Sequence, residues 1–157
     1  MYKGNVFVMN GFTLRPATET DIPEVLKIEE LSFTDPWTEG MFLSSIGENI
    51  DFTLLLDGVT PVGYSILDRR VEGEAELHSI AVIPSYRGRG LSNLLMDKMI
   101  LDCEGNGVTA IFLEVRVSNT AARLLYRKYG FSEIGIRRNY YKSPTEDAVI
   151  MQRRAGM

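Results

Sequence analysis

Between residues 86 and 92 the chain reads Tyr86-Arg87-Gly88-Arg89-Gly90-Leu91-Ser92. Glycines let a backbone come close to a ligand. Where such a turn opens a helix, free N–H groups and the helix dipole favour an anion, typically a phosphate. Arg87 and Arg89 add positive charge to the same spot, and a pyrophosphate would suit it. No Gly-Lys-Ser/Thr follows, so this is not a Walker A loop. Asn93 stands where a dinucleotide fingerprint needs its third glycine. A plain loop with two glycines and two solvated arginines fits these seven residues equally well.

Two further side chains could move protons. Glu114 interrupts the apolar run Ile111-Phe112-Leu113-Glu114-Val115. A carboxylate there is costly unless it is paired or used. It is either half of an ion pair, with Arg116 a candidate partner, or a general base. Tyr126 follows twelve positions on. It is either a core aromatic or a general acid, since a phenol near pKa ~10 can protonate a departing thiolate of slightly lower pKa. Cys103 has no acid–base partner near it in sequence and reads as a packing residue. His78 precedes the glycine turn and is structural or substrate-facing.

The elements that must position these groups follow from periodicity and punctuation. Phe12–Pro16 reads as a strand. Thr20-Asp21 opens a helix that tolerates Pro23 in its first turn and carries the stripe Ile22, Val25, Leu26. Phe33–Pro36 breaks it, and a short helix follows Thr38. Phe52–Leu56 and Val62–Leu67, joined at Asp57-Gly58, form a hairpin. Glu74–Ile83 is a strand stopped by Pro84. Leu91–Glu104 is a helix with Leu91, Leu94, Leu95 and Met99 on one face, ended by Gly105-Asn106-Gly107. Ala110–Val115 is a buried strand. Ser118 or Asn119 caps a helix through Lys128 with Ala122, Leu125, Tyr126 and Tyr129 on one face. Ile134–Arg138 and Ala148–Gln152 are two last strands. Hairpins mixed with strand–helix–strand units predict an α+β (mixed α/β) fold in one domain, residues 1–157.

Composition bounds the function. The chain has 157 residues, 45% hydrophobic and 24% charged, which is globular. A net charge of −4 argues against nucleic-acid binding. One cysteine excludes an internal disulfide, and one histidine leaves no His-rich metal site. Apolar runs do not exceed four residues, so neither a membrane span nor a signal peptide is expected, and the protein is expected in the cytoplasm.

Taken together, Leu77-His78-Ser79-Ile80-Ala81-Val82, Pro84 and the glycine turn resemble the acetyl-CoA signature of the GNAT N-acetyltransferases, Gln/Arg-x-x-Gly-x-Gly/Ala. Leu113-Glu114-Val115-Arg116-Val117-Ser118-Asn119, Ala121-Ala122, Leu125-Tyr126, Tyr129-Gly130-Phe131, Arg137-Arg138-Asn139-Tyr140-Tyr141, Glu146-Asp147-Ala148 and Met151 resemble the RimI-like branch, the Nα-acetyltransferases of a ribosomal protein. Phe33-Thr34-Asp35-Pro36-Trp37 is similar to that branch too. The resemblance runs from about Thr13 to Met151. Ser92 departs from it, standing where the motif has Gly or Ala, and residues 1–11 make the N-terminal stretch longer than the family minimum and have no assigned role.

The resemblance implies a GNAT fold: a mostly antiparallel sheet of about six to seven strands, splayed in the middle and flanked by about four helices. It implies acetyl-CoA as cosubstrate and no metal, with the thioester held between Glu74–Ile83 and Ala110–Val115. Ile80, Ala81 and Val82 would offer backbone groups to the pantetheine arm. Arg87, Gly88, Arg89, Gly90, Leu91, Ser92 and Asn93 would cradle the pyrophosphate. Asn119 would hold the pantetheine, with Tyr126 beside it. Glu114 would be the base and Tyr126 the acid, and Phe33, Trp37, Tyr140 and Tyr141 would wall the acceptor's entrance.

The implied partner is the N-terminal peptide of a small-subunit ribosomal protein beginning with alanine, with no direct nucleic acid and no membrane. An α-amine near pKa ~7.7–8.0 suits a carboxylate base better than a lysine near ~10.4. Acetylation of a small amine or a lysine, or a non-catalytic acyl-CoA-binding module, remain the alternatives.

Overall fold

One mixed sheet organises the chain in the computed structural model, which describes residues 2, 3 and 6–155. Its strands are β1 (Tyr2–Lys3), β2 (Val6–Met9), β3 (Phe12–Pro16), β4 (Ile50–Asp57), β5 (Thr60–Asp68), β6 (Glu74–Val82), β7 (Ala110–Arg116), β8 (Ser132–Tyr141) and β9 (Glu146–Arg154). They lie in the order β1-β2-β3-β4-β5-β6-β7-β9-β8. Every neighbouring pair is antiparallel except β6 and β7.

Nine strands among the described residues correct the expected six to seven. The surplus comes from the stretch to which no role was assigned. Val6–Met9 pairs with β3 (Phe7 opposite Leu14), and the Asn10-Gly11 turn takes positive φ at both residues, 52° and 83°. That dipeptide is a strong short-range hairpin signal.

Four helices cover the two faces. On one face lie α1 (Ile22–Ser32) and α2 (Glu39–Leu43). Pro23 sits in α1's first turn, and Thr38 Oγ1 caps α2 by accepting from Met41 N at 3.3 Å. Ile22, Val25, Ile28 and Phe42 pack there on Phe52, Leu54, Tyr64 and Ile66. On the other face lie α3 (Leu91–Gly105) and α4 (Thr120–Lys128). Met96, Met99, Tyr126 and Phe131 pack there on Leu77, Ile111, Leu113, Val115, Val149 and Met151. The α3 stripe is rotated from the expected one: Met96 is fully buried, and Leu94 only half-buried. The cause is that α3 serves two clusters, Leu91 and Leu95 against β4 and β5 and Met96, Met99 and Cys103 against β6 and β7.

The feature that matters for function is a parting of strands. β6 and β7 pair only from Glu74–Ala110 to Leu77–Leu113. Beyond that point β6 stays on β5 and β7 stays on β9, with a gap between them. At that height β6 carries a bulge. Ser79 faces Ile66 and Leu77 faces Leu67, so His78 is the extra residue. A bulge adds local twist, which turns β6 away just where Glu114 begins the unpaired half of β7.

Candidate active site

Beyond Leu77 the β6 edge has no β7 partner in the sheet. Ile83 N donates to Val62 O at 2.9 Å. By antiparallel alternation Ala81 and Ile83 turn their backbone groups to β5, while Ile80 and Val82 turn theirs into the gap. Arg87 Nε donates to Val82 O at 3.0 Å, so this arginine is folded over the end of the open edge. Gly63, opposite Val82, makes the edge possible from behind, since a Cβ there would lie 2.7 Å from Ala81 O.

Below the gap the glycine turn enters α3. Gly88 and Gly90 take φ of +79° and +74°, conformations that L side chains rarely adopt, and nothing lies within 4 Å of where a Gly88 Cβ would be. Gly90 is the N-cap of α3 and no side chain caps it. The first-turn N–H groups of a helix have no intrahelical acceptor, so Leu91, Ser92 and Asn93 present donors at an open, glycine-lined surface. Arg89 lies over the Tyr86 ring, 4.6 Å from its centroid, and the Tyr86 hydroxyl donates to Asp57 Oδ2 at 2.6 Å. Glycines and uncapped N–H groups of this kind could hold a phosphate or pyrophosphate. Asn93 contributes through its backbone end: its side chain turns to α4, where Oδ1 lies 3.2 Å from Lys128 Nζ and 3.3 Å from the Tyr129 hydroxyl. The Asn119 Oδ1 accepts from Ala122 N at 3.1 Å as the cap of α4, which leaves its amide N–H groups for a ligand.

Glu114 and Tyr126 lie on opposite faces of the sheet. Leu113 and Val115 point into the α3/α4 core, so Glu114 between them points to the α1/α2 face. Its partner there is not Arg116, which pairs with Glu146 at 3.2 Å, but Arg137 of β8, whose Nε lies 3.0 Å from Oε1. The register explains the choice. Ala148 of β9 lies opposite both Arg116 and Arg137, which brings the β8 arginine to Glu114's face. A hydrogen bond to Glu114 raises the Tyr140 phenol, and burial followed by the Glu114 charge pushes Tyr141 up to about 12. Tyr126 lies on the other face, 6% exposed, its ring 5.9 Å from that of Phe131. Burial, with Tyr141 adding to it, holds its phenol above the ordinary range. Glu114 thus acts on Tyr141, and Tyr141 in turn on Tyr126.

The aromatic residues expected at the entrance divide. Tyr140 and Tyr141 pack edge to face at 5.1 Å beside Glu114. Trp37 packs on Phe42 at 5.3 Å and lies 6.3 Å from His78 on the same face. Phe33, the C-cap of α1, is 37% exposed, and no ring contact joins it to the other three among the described residues. His78 lies 3.6 Å from Asp68 and 3.7 Å from Glu76. Cys103 is buried and its thiol is pushed up to about 12 by that burial, as suits a packing residue.

A buried acid on α1 was not expected. Glu29 is 2% exposed, accepts from Trp37 N at 3.0 Å and from the Tyr64 hydroxyl, and is raised by burial. Its signal was in the periodicity, because residue 29 continues the stripe of Ile22 and Val25 at i+7 and i+4. Among the described residues no group of three or more His, Cys, Asp or Glu side chains could hold a metal ion.

Residues 22–131 match the acetyltransferase (GNAT) family. The chain is 39% identical over 142 residues to the [ribosomal protein bS18]-alanine N-acetyltransferase of Escherichia coli, covering 88% of this chain and 95% of that protein. It is 36% identical over 150 residues to the N-alpha-acetyltransferase RimI of Mycobacterium tuberculosis, covering 92% and 93%. The crystal structure of the Escherichia coli enzyme superposes with a TM-score of 0.87 at 38% identity, covering 93% of this chain and 95% of that one.

Proposed function

The chain belongs to the GNAT acetyltransferase family, and from that premise we propose that it acetylates the N-terminal α-amine of a ribosomal protein beginning with alanine. The activity is acetyl-CoA-dependent N-acetyl transfer. The substrate reading follows the relative that acts on alanine of ribosomal protein bS18 and shares 39% of its residues. No helix of the described residues is long and apolar enough to cross a membrane, and a ribosomal acceptor places the enzyme in the cytoplasm.

The observation that supports the mechanism is that Glu114 lies on the α1/α2 face of β7, just beyond its last pair with β6, while Tyr126 packs on the opposite face. Acetyl-CoA supplies an activated acyl group on a thiol leaving group. Gly88, Gly90 and the first turn of α3 bind its pyrophosphate, and the Ile80 backbone and the Val82 N–H, which face away from β5, direct its arm between β6 and β7. Trp37, Tyr140 and Tyr141 border the acceptor's approach on the α1/α2 face. Glu114 takes a proton from the α-ammonium, directly or through one water, and the freed lone pair then forms the N–C bond. Arg137 holds that carboxylate in place. The Val82 N–H points to where negative charge gathers on the acyl oxygen. Tyr126 gives its proton to the sulfur as the C–S bond breaks, on the far face. Because burial strengthens the phenol's hold on its proton, transfer depends on the thiolate being equally desolvated, which raises its proton affinity in turn.

The test is a panel of peptides with acetyl-CoA and mass spectrometric location of the acetyl group. An Ala-initiated ribosomal N-terminus should be modified at its α-amine. The same peptide blocked at the N-terminus, with its lysines free, should not be. Acetylation confined to lysines would refute the reading.

A further inference from the structure

We propose that Glu29 and Tyr64 are positioning residues for the acceptor: a buried carboxylate–phenol–hydroxyl chain that fixes the α1–α2 loop against the bulge where β6 leaves β7. The inference rests on the reading that this loop borders the acceptor's path.

The contacts form a closed circuit. The loop between Ser32 and Glu39 has no regular structure of its own. Its backbone is held at Trp37, whose N–H donates to Glu29 Oε1 at 3.0 Å. The other carboxylate oxygen of Glu29 accepts from the Tyr64 hydroxyl on β5. That hydroxyl lies 2.7 Å from Ser79 Oγ on β6. Ser79 is the neighbour of the bulge residue His78, and the His78 ring lies 6.3 Å from the Trp37 ring. Trp37 is therefore tied to the mouth of the gap twice, once through its backbone and once through its ring.

The chemistry of position 29 supports a positioning role rather than packing. Residue 29 lies on the buried stripe of α1, where an apolar side chain would fill the space without desolvating a charge. What the carboxylate adds is two directed acceptors, one for a loop and one for a strand. Glu29 lies on the α1/α2 face with Glu114 but shares no partner with it among the described residues, so its loss acts on the acceptor's approach and leaves the pyrophosphate cradle on α3 alone.

Tyr64→Phe tests this with the ring volume kept, and Glu29→Gln is the conservative companion that keeps one acceptor. Trp37 is the single tryptophan of the chain, so its fluorescence reads the loop directly. For Tyr64→Phe we expect the acceptor-peptide KM to rise about five- to tenfold, the scale of one lost buried hydrogen bond with its partner left behind. We expect the Kd for acetyl-CoA to stay within about twofold, and acrylamide quenching of Trp37 to increase. Glu29→Gln should fall between wild type and Tyr64→Phe on both readouts. The double variant should cost clearly less than the sum of the singles, since the two residues act through one bond, and full additivity would overturn the inference. Wild type that acetylates peptides, with Tyr64→Phe unchanged in acceptor KM and in Trp37 quenching, overturns this inference alone. A loss of acetyl-CoA affinity as large as the rise in acceptor KM also overturns it, because the chain would then support the whole sheet. Wild type that acetylates no N-terminus overturns the function reading and this inference with it.

Discussion

Replacing Glu114 by glutamine removes the proposed base and little else. The amide oxygen can still accept from Arg137, which sits 3.0 Å from Oε1 in the native protein, so the side chain should keep its place. The cradle on α3 is on the other face and is untouched. Loss of a general base lowers kcat by roughly 10²–10⁴. The pH profile sharpens the test. With a pKa of ~7.7–8.0 the acceptor's α-amine is about 10–15% neutral at pH 7 and more than about 90% neutral at pH 9. Without a base, the variant can use only amine that has already lost its proton. Its kcat/KM should therefore climb some five- to tenfold (roughly, from those fractions) between pH 7 and pH 9 and narrow the deficit. Steady-state rates on an Ala-initiated peptide, with calorimetry for acetyl-CoA, read both effects. Turnover within about twofold of wild type at pH 7 would remove Glu114 from the mechanism.

Tyr126→Phe keeps the ring packed on Phe131 and should lower kcat on the order of 10² with little change in melting temperature, and an unchanged rate would remove the phenol from the proton path. Gly63→Ala places a methyl 2.7 Å from Ala81 O. Urea melts should show a loss of about 1–3 kcal/mol, with weaker acetyl-CoA binding as β6 shifts, and wild-type behaviour in both would mean the edge yields freely. Glu29 gives a stability effect with a definite sign. Burial raises its folded pKa above the ordinary 4.5, so the native state holds this proton more tightly than the unfolded chain. The cost of burying the charge is absent below about 4.5 and grows as pH rises above it. Relative to Glu29→Gln, wild type should therefore lose stability between pH 4.5 and pH 7, and a difference that stays constant would contradict the burial argument.

The chain's local punctuation carried most of this architecture. Pro23, Thr38, Gly90, Asn119 and Gly130 mark helix ends that the structure places within a residue or two of expectation. The strand run around Glu114 and the long helix after the glycine turn were equally plain, because strong periodicity and a nearby breaker agreed. What escaped was set by pairing across the sheet. The partner of Glu114 depends on the β7–β9–β8 register, which brings residue 137 rather than 116 to the carboxylate. The bulge at His78 depends on a mismatch between β5 and β6 that neither strand shows alone. Glu29 was hidden for a different reason: its stripe position was visible, but a carboxylate on a buried stripe looks like a solvent-facing residue until Trp37 N and the Tyr64 hydroxyl are seen to meet it.

The proposed mechanism needs two proton carriers to approach one thioester from opposite sides of the sheet. A crystal structure with a conjugate of CoA and an Ala-initiated peptide measures this directly. The sulfur should lie between the Ile80–Val82 edge and β7, with the acceptor nitrogen within hydrogen-bond reach of Glu114, directly or through one water, and the Tyr126 hydroxyl facing the sulfur from the α3/α4 side. A conjugate lying outside the gap, or with nitrogen and sulfur both on one face, would contradict it.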